Sequence, residues 1–424
     1  MKYTDFAIEK LGTPTIASPV KNLDFVRDDA NVAYHNDIRD ITANPDEPIL
    51  AFEQAGPRDM IYHDPSWSRA AILTAGGLCP GLNDVIKFIT RTLRQQYGVP
   101  VVYGIPYGYR GLNPEFKHEP RILTNEDVDH IHEDGGSVLG SSRGRQPEKI
   151  MVDTLARMNI NMLFCIGGDG TLRGAHAIAE EVRRRKLAIS VIGIPKTIDN
   201  DISFIDKSFG FESAVYASSL FITSAHNEAE GAYNGIGLVK VMGRDSGFIA
   251  AYATLANSHV TYCLVPENPF KLDGPGGLLQ NLEKRLNERH HAVIIVAEGA
   301  GQDLFADQEK NQDASGNILH KDIGLLLKDR INAYFKERKI EVNLKYFDPS
   351  YTIRSVPARG TDAVFCTMLA QNAVHAAMSG RTDMVVGHWH DAFTHVPISL
   401  AISNRKKIDT KGQLWNSVAS TVWM

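Results

Sequence analysis

The chain has 424 residues, too many for one compact core and enough for two domains with substantial buried interiors. Hydrophobic residues at 43% and charged residues at 22% are ordinary for a globular protein, and a formal net charge of -5 argues against a broad nucleic-acid footprint. Four dispersed cysteines, Cys79, Cys165, Cys263 and Cys366, form no C-x-x-C pair, which argues against a zinc framework or disulfide scaffold and suits a reducing compartment. The first ten residues lack a signal-peptide core, and no apolar run approaches the ~20 residues that cross a bilayer, so a cytoplasmic protein with no membrane partner is expected.

Residues 1–68 are rich in Asp, Asn and Pro and read as an N-terminal extension of short elements over the main body. A strand over 70–75 then runs into Gly76-Gly77-Leu78-Cys79-Pro80-Gly81, followed by Val85, Ile86, Ile89 and Leu93 at helical spacing. Glycines at such a junction let backbone amides approach an anion, although a tight turn explains them equally. Cys79 reads as a small packed residue more readily than as a reactive thiol. A strand over 101–105 follows, then a capped helix start at Thr124–Val128 and the Gly/Ser loop 135–145 with Arg143 and Arg145. That loop suits phosphates or an adenine ring, or is only a basic surface loop.

The strand over 161–166 ends in Gly167-Gly168-Asp169-Gly170-Thr171 and leads into a helix whose end, Arg183 to Lys186, reads as a solvated basic terminus. A carboxylate in a glycine turn can hold magnesium against phosphates, and the pattern alone says nucleotide or polyphosphate. The apolar run 187–194 delivers Pro195, Lys196, Thr197, Ile198, Asp199, Asn200 and Asp201, at the end of a strand where open α/β sheets place chemistry. Strands over 236–241, 261–265 and 292–297 end in Met242-Gly243-Arg244, Pro266-Glu267 and Glu298-Gly299. A polar excursion around 313–317 precedes helices at 325–335 and 361–378, and late strands are expected at 384–387 and 396–400. Repeated alternation of this kind predicts an α/β protein with parallel sheets under covering helices.

Together the Thr74–Asn83 glycine junction, Leu139-Gly140-Ser141-Ser142-Arg143, the Gly-Gly-Asp-Gly-Thr turn, the Pro-Lys-Thr-Ile-Asp-Asn-Asp loop, Met242-Gly243-Arg244 and Glu298-Gly299 resemble the 6-phosphofructokinase family from about residue 70 to 387. With the stretch 348–357 they look most like its plant and trypanosomatid ATP-using branch, itself related to pyrophosphate users. The resemblance implies two doubly wound Rossmann-like domains with mostly parallel sheets and the active site in the cleft between them. The domains expected are 69–212 plus 355–405 for the phosphate donor and 213–354 for the sugar phosphate, with 1–68 as extension and 406–424 as tail. It implies phosphoryl transfer to the 1-hydroxyl of fructose 6-phosphate, with Mg2+.

Asp199 matches the family's general base, with Thr197, Lys196, Asp201 and Arg244 in supporting catalytic roles. Met242, Gly243, Arg244, Glu298, Tyr351 and Arg354 match substrate positions. Lys345 matches a basic position that reaches a neighbouring subunit, implying a homodimer or homotetramer with shared sites. Gly77, Arg143, Gly168, Asp169, Gly170 and Thr171 match the donor side, Asp169 also near the metal. Lys196 is usual in pyrophosphate users, but Gly170 stands where those carry a second aspartate, leaving room for ATP. Gly235 stands where bacterial enzymes place an inter-subunit arginine. ATP is therefore the expected donor, with pyrophosphate the alternative. A catalytically inactive sugar-phosphate-sensing subunit is the rival of another class, and NAD or lipid kinases would explain only residues 167–171.

Overall fold

A computed structural model describes residues 1–42, 47–305 and 320–423, so the polar excursion around 313–317 lies outside the described residues. In chain order the strands of the two main sheets are β1 (Asn31–Ala33), β2 (Ala51–Gln54), β3 (Arg69–Thr74), β4 (Val101–Ile105), β5 (Arg121–Ile122), β6 (Met162–Gly167), β7 (Ser190–Pro195), β8 (Gly235–Val241), β9 (Tyr262–Leu264), β10 (His291–Ala297), β11 (Asn343–Phe347), β12 (Met384–Trp389) and β13 (Ala392–Pro397). The helices that matter below are α1 (Leu82–Arg91), α2 (Asp169–Arg184), α3 (Phe211–Glu230), α4 (Phe248–Ala256), α5 (Ile323–Glu337) and α6 (Thr361–Met378). The chain forms two compact units: Met1–Thr197 with Ile202–Gly210 and Pro357–Arg405, and Ile198–Asp201 with Phe211–Val356 and Lys406–Met424.

In the first unit the described residues build a nine-stranded sheet in the order β1-β2-β13-β12-β7-β6-β3-β4-β5. Its five central strands run parallel and its flanks antiparallel. Parallel strands covered on both faces must be apolar throughout, and β3, β6 and β7 are, with Ile72, Leu73, Phe164, Ile166, Ile192 and Ile194 fully buried. At roughly 1.5–3 kcal/mol for each large side chain, this layer dominates the favourable side of the unit's stability. Taken in chain order the central strands lie 2-1-3-4-5, so the winding reverses between β3 and β6.

Residues 1–68 are built into this unit. Glu9–Lys10 pairs with Arg381–Thr382, and β1 and β2 extend the sheet edge. Arg381, fully buried, is neutralised by Glu53 and by Asp28 at 2.8 Å. The basic end of α2 is solvated as expected, with Arg183, Arg184 and Lys186 exposed, and its arginines form ion pairs there: Arg183 with Glu9 and Asp383, and Arg184 and Arg185 with Glu181. Thr124 and Asp127 exchange capping-type hydrogen bonds, but no helix follows. A turn runs instead into a 3-10 turn at Ile131–Glu133 and then Gly135-Gly136, which leaves the local signal no apolar periodic segment to start. Of the strand expected over 396–400, Val396 and Pro397 end β13, and residues 398–400 turn instead into the short helix Ile398–Ala401.

The second unit carries a four-stranded, wholly parallel sheet in the order β9-β10-β8-β11. The connection from β8 runs to β9 at one edge and that from β10 runs to β11 at the other, so the carboxyl ends of β8 and β10 emerge together at the reversal, with Val241 and Ala297 in register. All four cysteines are reduced and buried. No helix among the described residues is long and apolar enough to cross a membrane.

Candidate active site

In the first unit the reversal between β3 and β6 collects the glycine junctions. Thr74 pairs with Ile166, and the Ala75 N–H continues the ladder to the Ile166 carbonyl at 3.0 Å. Gly76 then turns with φ +89, a conformation that favours glycine, and the Lys196 ammonium lies beside the position of its missing Cβ. Lys196, only 6% exposed, continues β7, donates its N–H to the Gly167 carbonyl at 3.0 Å and sends Nζ to the Gly77 carbonyl at 2.7 Å. Gly168 caps α2, its carbonyl accepting the Thr171 N–H at 2.9 Å and the Leu172 N–H at 3.0 Å, and the Tyr109 hydroxyl donates to the Thr171 carbonyl. A Cβ added at Gly170 would meet nothing within 4 Å.

The Gly/Ser loop is stitched to the same place. The Thr74 hydroxyl donates to Gly140 at 2.6 Å, the Gly76 N–H to Ser142 at 3.0 Å, and the Ser141 hydroxyl to Gly76 at 2.6 Å. Arg143 stands exposed on that anchored loop. Asp169 accepts from Arg173 at 3.0 Å and lies 3.9 Å from Arg405. Thr197 closes this half, its carbonyl accepting from the Ser208 hydroxyl at 2.7 Å. Gly77, Lys196 and Gly168 to Thr171 are thus brought together around one sheet reversal.

The second unit holds the other group. Met242, Gly243 and Arg244 leave β8 while Glu298 leaves β10, and the Glu298 and Gly299 N–H groups bond to the carbonyls of Val241 and Gly243 at 3.0 Å each. Gly243 at φ +131 folds against Ser246, and a Cβ at Gly299 would overlap the Arg244 carbonyl. These two ends form one interlocked rim. Asp199 and the buried Asp201 belong to the same unit. The Arg244 N–H reaches Asp199 Oδ2 at a long 3.5 Å, and the Ser246 hydroxyl donates to the Asp199 carbonyl at 3.2 Å. Burial first, then the charges of Asp201 and Glu298, push the Asp199 carboxyl well above the ordinary carboxylate range, against the pull of Arg244. Burial likewise raises Glu298, against the pull of Arg244, Lys240 and Arg354.

Tyr351, 75% exposed, and Arg354 stack with the guanidinium 4.5 Å from the ring centre. Lys345 lines a separate open groove of about 500 Å³ with Ser224, Asn227, Glu228, Tyr346 and Phe347. Sequence reasoning passed over three side chains that hold this rim. Glu267 accepts the Gly247 N–H with both oxygens and also the Ile408 N–H at 3.0 Å, capping α4. Gln302 bonds the Glu298 carbonyl at 2.8 Å. Lys240 sits between Asp322 and Asp348, 2.8 Å from each. Of these only Glu267 carried a signal, a carboxylate just past a strand's carboxyl end.

Residues 69–377 match the family model described as phosphofructokinase. An ATP-dependent 6-phosphofructokinase of Borreliella burgdorferi is 49% identical over 433 aligned positions, covering 98% of this chain and 96% of that one. ATP-dependent 6-phosphofructokinase 7 of Arabidopsis thaliana is 47% identical, covering 87% of this chain and 76% of that one. Among solved structures, a pyrophosphate-dependent phosphofructokinase of Marinobacter aquaeolei shares the fold with a TM-score of 0.67 at 19% identity, covering 84% of this chain and 92% of that one. The two Rossmann-like units, the glycine turns at the sheet reversal and a match over nearly the whole chain agree: this chain belongs to the phosphofructokinase family.

Proposed function

We infer that the chain is an ATP-dependent 6-phosphofructokinase, which transfers the γ-phosphoryl group of ATP to the 1-hydroxyl of fructose 6-phosphate and yields fructose 1,6-bisphosphate and ADP. The observation that carries this reading is the place of Asp199, whose Oδ2 lies 3.5 Å from the Arg244 N–H at the rim made by the ends of β8 and β10. A primary alcohol attacks phosphorus well only if a base takes its proton as the bond forms, and a carboxylate held above its ordinary range is suited to that. Asp199 is that base. As the new oxygen–phosphorus bond forms, its proton passes to Asp199 and the bond to ADP breaks. Lys196, Thr197 and Arg244 stabilise charge on the moving phosphoryl oxygens, and Asp201 helps fix the site's negative side.

On the sugar side Met242, Gly243, Arg244 and Glu298 receive the ring hydroxyls, and Tyr351 and Arg354 the 6-phosphate, where a planar guanidinium suits bidentate recognition. Gly77, Arg143 and the turn Gly168 to Thr171 receive the donor phosphates. Among the described residues no three His, Cys, Asp or Glu side chains gather into a metal cage. This suits Mg2+, which binds through one or two carboxylates and substrate phosphates. Asp169, oxygen-donating and partly exposed although engaged by Arg173, is the residue that would hold it. When bound, the ion neutralises phosphate charge.

Lys345 belongs to the site of a neighbouring copy in this reading. The exposed apolar side chains of Tyr216 and Leu220 on α3 and Tyr252 and Leu255 on α4 support a homo-oligomer. The test is the initial rate of fructose 1,6-bisphosphate formation with Mg2+ and either ATP or pyrophosphate as sole donor. ATP alone should support turnover. Turnover with pyrophosphate alone would give the donor choice to Lys196 instead of to the open space at Gly170, and silence with both would overturn the enzyme reading.

A further inference from the structure

Lys240 is the penultimate residue of β8, two positions before Met242, and its side chain is 12% exposed. An ammonium so enclosed must be fully paired, and here it is: Asp322 Oδ2 and Asp348 Oδ2 each lie 2.8 Å from Nζ. Burial opposes its charge, but the two carboxylates outweigh that and raise its pKa.

Each partner anchors a different loop. Asp348 Oδ1 accepts the Ser350 N–H at 3.2 Å and its hydroxyl at 2.5 Å, which starts the helical turn Ser350–Ile353 bearing Tyr351 and leading to Arg354. Asp322 caps α5 through the Leu325 N–H at 3.1 Å and accepts the Tyr346 hydroxyl at 3.1 Å. From the neighbouring Lys321, whose N–H reaches Gln302 Oε1 at 3.1 Å, Gln302 carries the chain of bonds on to the Glu298 carbonyl. Independently, Lys240, Asp348 and Arg354 all act electrostatically on the Glu298 carboxyl, so the group lies within reach of the sugar-side residues.

We propose that Lys240 is a positioning residue for the sugar phosphate, a single cation that clamps the entry to α5 and the Tyr351–Arg354 turn onto the β8 and β10 rim. This rests on the assignment of Arg354 and Glu298 to sugar-phosphate binding made above. Without the ammonium, Asp322 and Asp348 face each other as uncompensated charges. Asp348 then moves away and adds negative charge where the 6-phosphate arrives. The chemistry at Asp199 and the donor loops of the other unit do not depend on this clamp. Loss of Lys240 is therefore felt in the Michaelis constant for one substrate.

The experiment compares K240M, K240R, D348N and R354A in the full chain, varying fructose 6-phosphate and ATP separately. In K240M the KM for fructose 6-phosphate should rise about ten-fold or more while kcat and the KM for ATP change by less than about three-fold. K240R should recover most of the loss, and D348N, which cuts the same clamp from its other end, should shift the same constant if K240M fails to fold. A folded K240M with unchanged KM, or one that loses kcat and both Michaelis constants in proportion, overturns the clamp. R354A separates the two levels: if it leaves the KM for fructose 6-phosphate unchanged, the sugar-site assignment fails. If R354A raises it and K240M does not, only the clamp fails.

Discussion

Lys196 spans two strand ends, its N–H on the Gly167 carbonyl and its ammonium on the Gly77 carbonyl at 2.7 Å. The bond to the Gly77 carbonyl holds this buried cation at the mouth of the glycine junctions, which suits it to meet phosphate oxygens. Replacing Lys196 with Met should lower kcat by about 10²-fold while changing the KM for fructose 6-phosphate little, because the lost charge acts on the group in transfer. Steady-state kinetics with each substrate varied decides it, and a kcat within a factor of about two of the parent would sink the assignment.

Asp199→Asn keeps the volume and removes the base. Turnover should fall by roughly 10²–10⁴-fold while fructose 6-phosphate still binds, measured by calorimetry. In the parent enzyme the acid limb of kcat/KM should lie above the ordinary carboxylate range, since burial, Asp201 and Glu298 favour the protonated form. That limb should vanish from the residual activity of the variant.

Gly299→Ala tests the rim without touching a charge. Its Cβ has no room beside the Arg244 carbonyl, so the loops after β8 and β10 must part. The expected cost is about 1–3 kcal/mol in denaturant unfolding, with a large rise in the KM for fructose 6-phosphate as Glu298 moves. A Gly170→Ala control, where an added Cβ meets open space, should leave stability unchanged within ~0.5 kcal/mol.

Asp84, buried at the start of α1, has its carboxyl pushed up to about 6 by burial and by the charge of Asp362. The folded state therefore holds a proton that the unfolded chain releases near the ordinary value, and the stability this gives is lost as pH rises through about 6. Asp84→Asn should stabilise the protein by up to about 2–3 kcal/mol at pH 8 and by little at pH 4. His63, His375 and His395 act in the opposite sense, since burial holds each down to about 4. Their contribution is present above the unfolded value and is lost as pH falls toward 4, so melting temperature measured against pH should fall steeply on the acid side in both proteins.

The parallel sheets were legible because a strand buried on both faces has to be apolar, and glycine marks its end; residues 70–75, 161–166 and 292–297 announce themselves this way. The helix over 361–378 was equally plain. Thr124 misled because a capping pair is a local signal that needs an apolar periodic segment behind it. Residues 1–68 were opaque because their strands are short and depend on partners such as Thr382 and His395, more than 300 residues away. Lys240 and Gln302 were invisible for a related reason. A lysine in a strand says nothing about its role until folding brings Asp322 and Asp348, 82 and 108 residues on, to its ammonium.

The four buried cysteines turn the protein into its own clock of opening. Burial raises the thiols of Cys165 and Cys263 to about 12, so neither reacts with an external thiol reagent until its surroundings part. Cys263 belongs to the unit with the β8 and β10 rim, and Cys79, Cys165 and Cys366 belong to the other. Pulse alkylation followed by peptide mass analysis would therefore time the exposure of each unit separately in the unmodified enzyme, with and without either substrate.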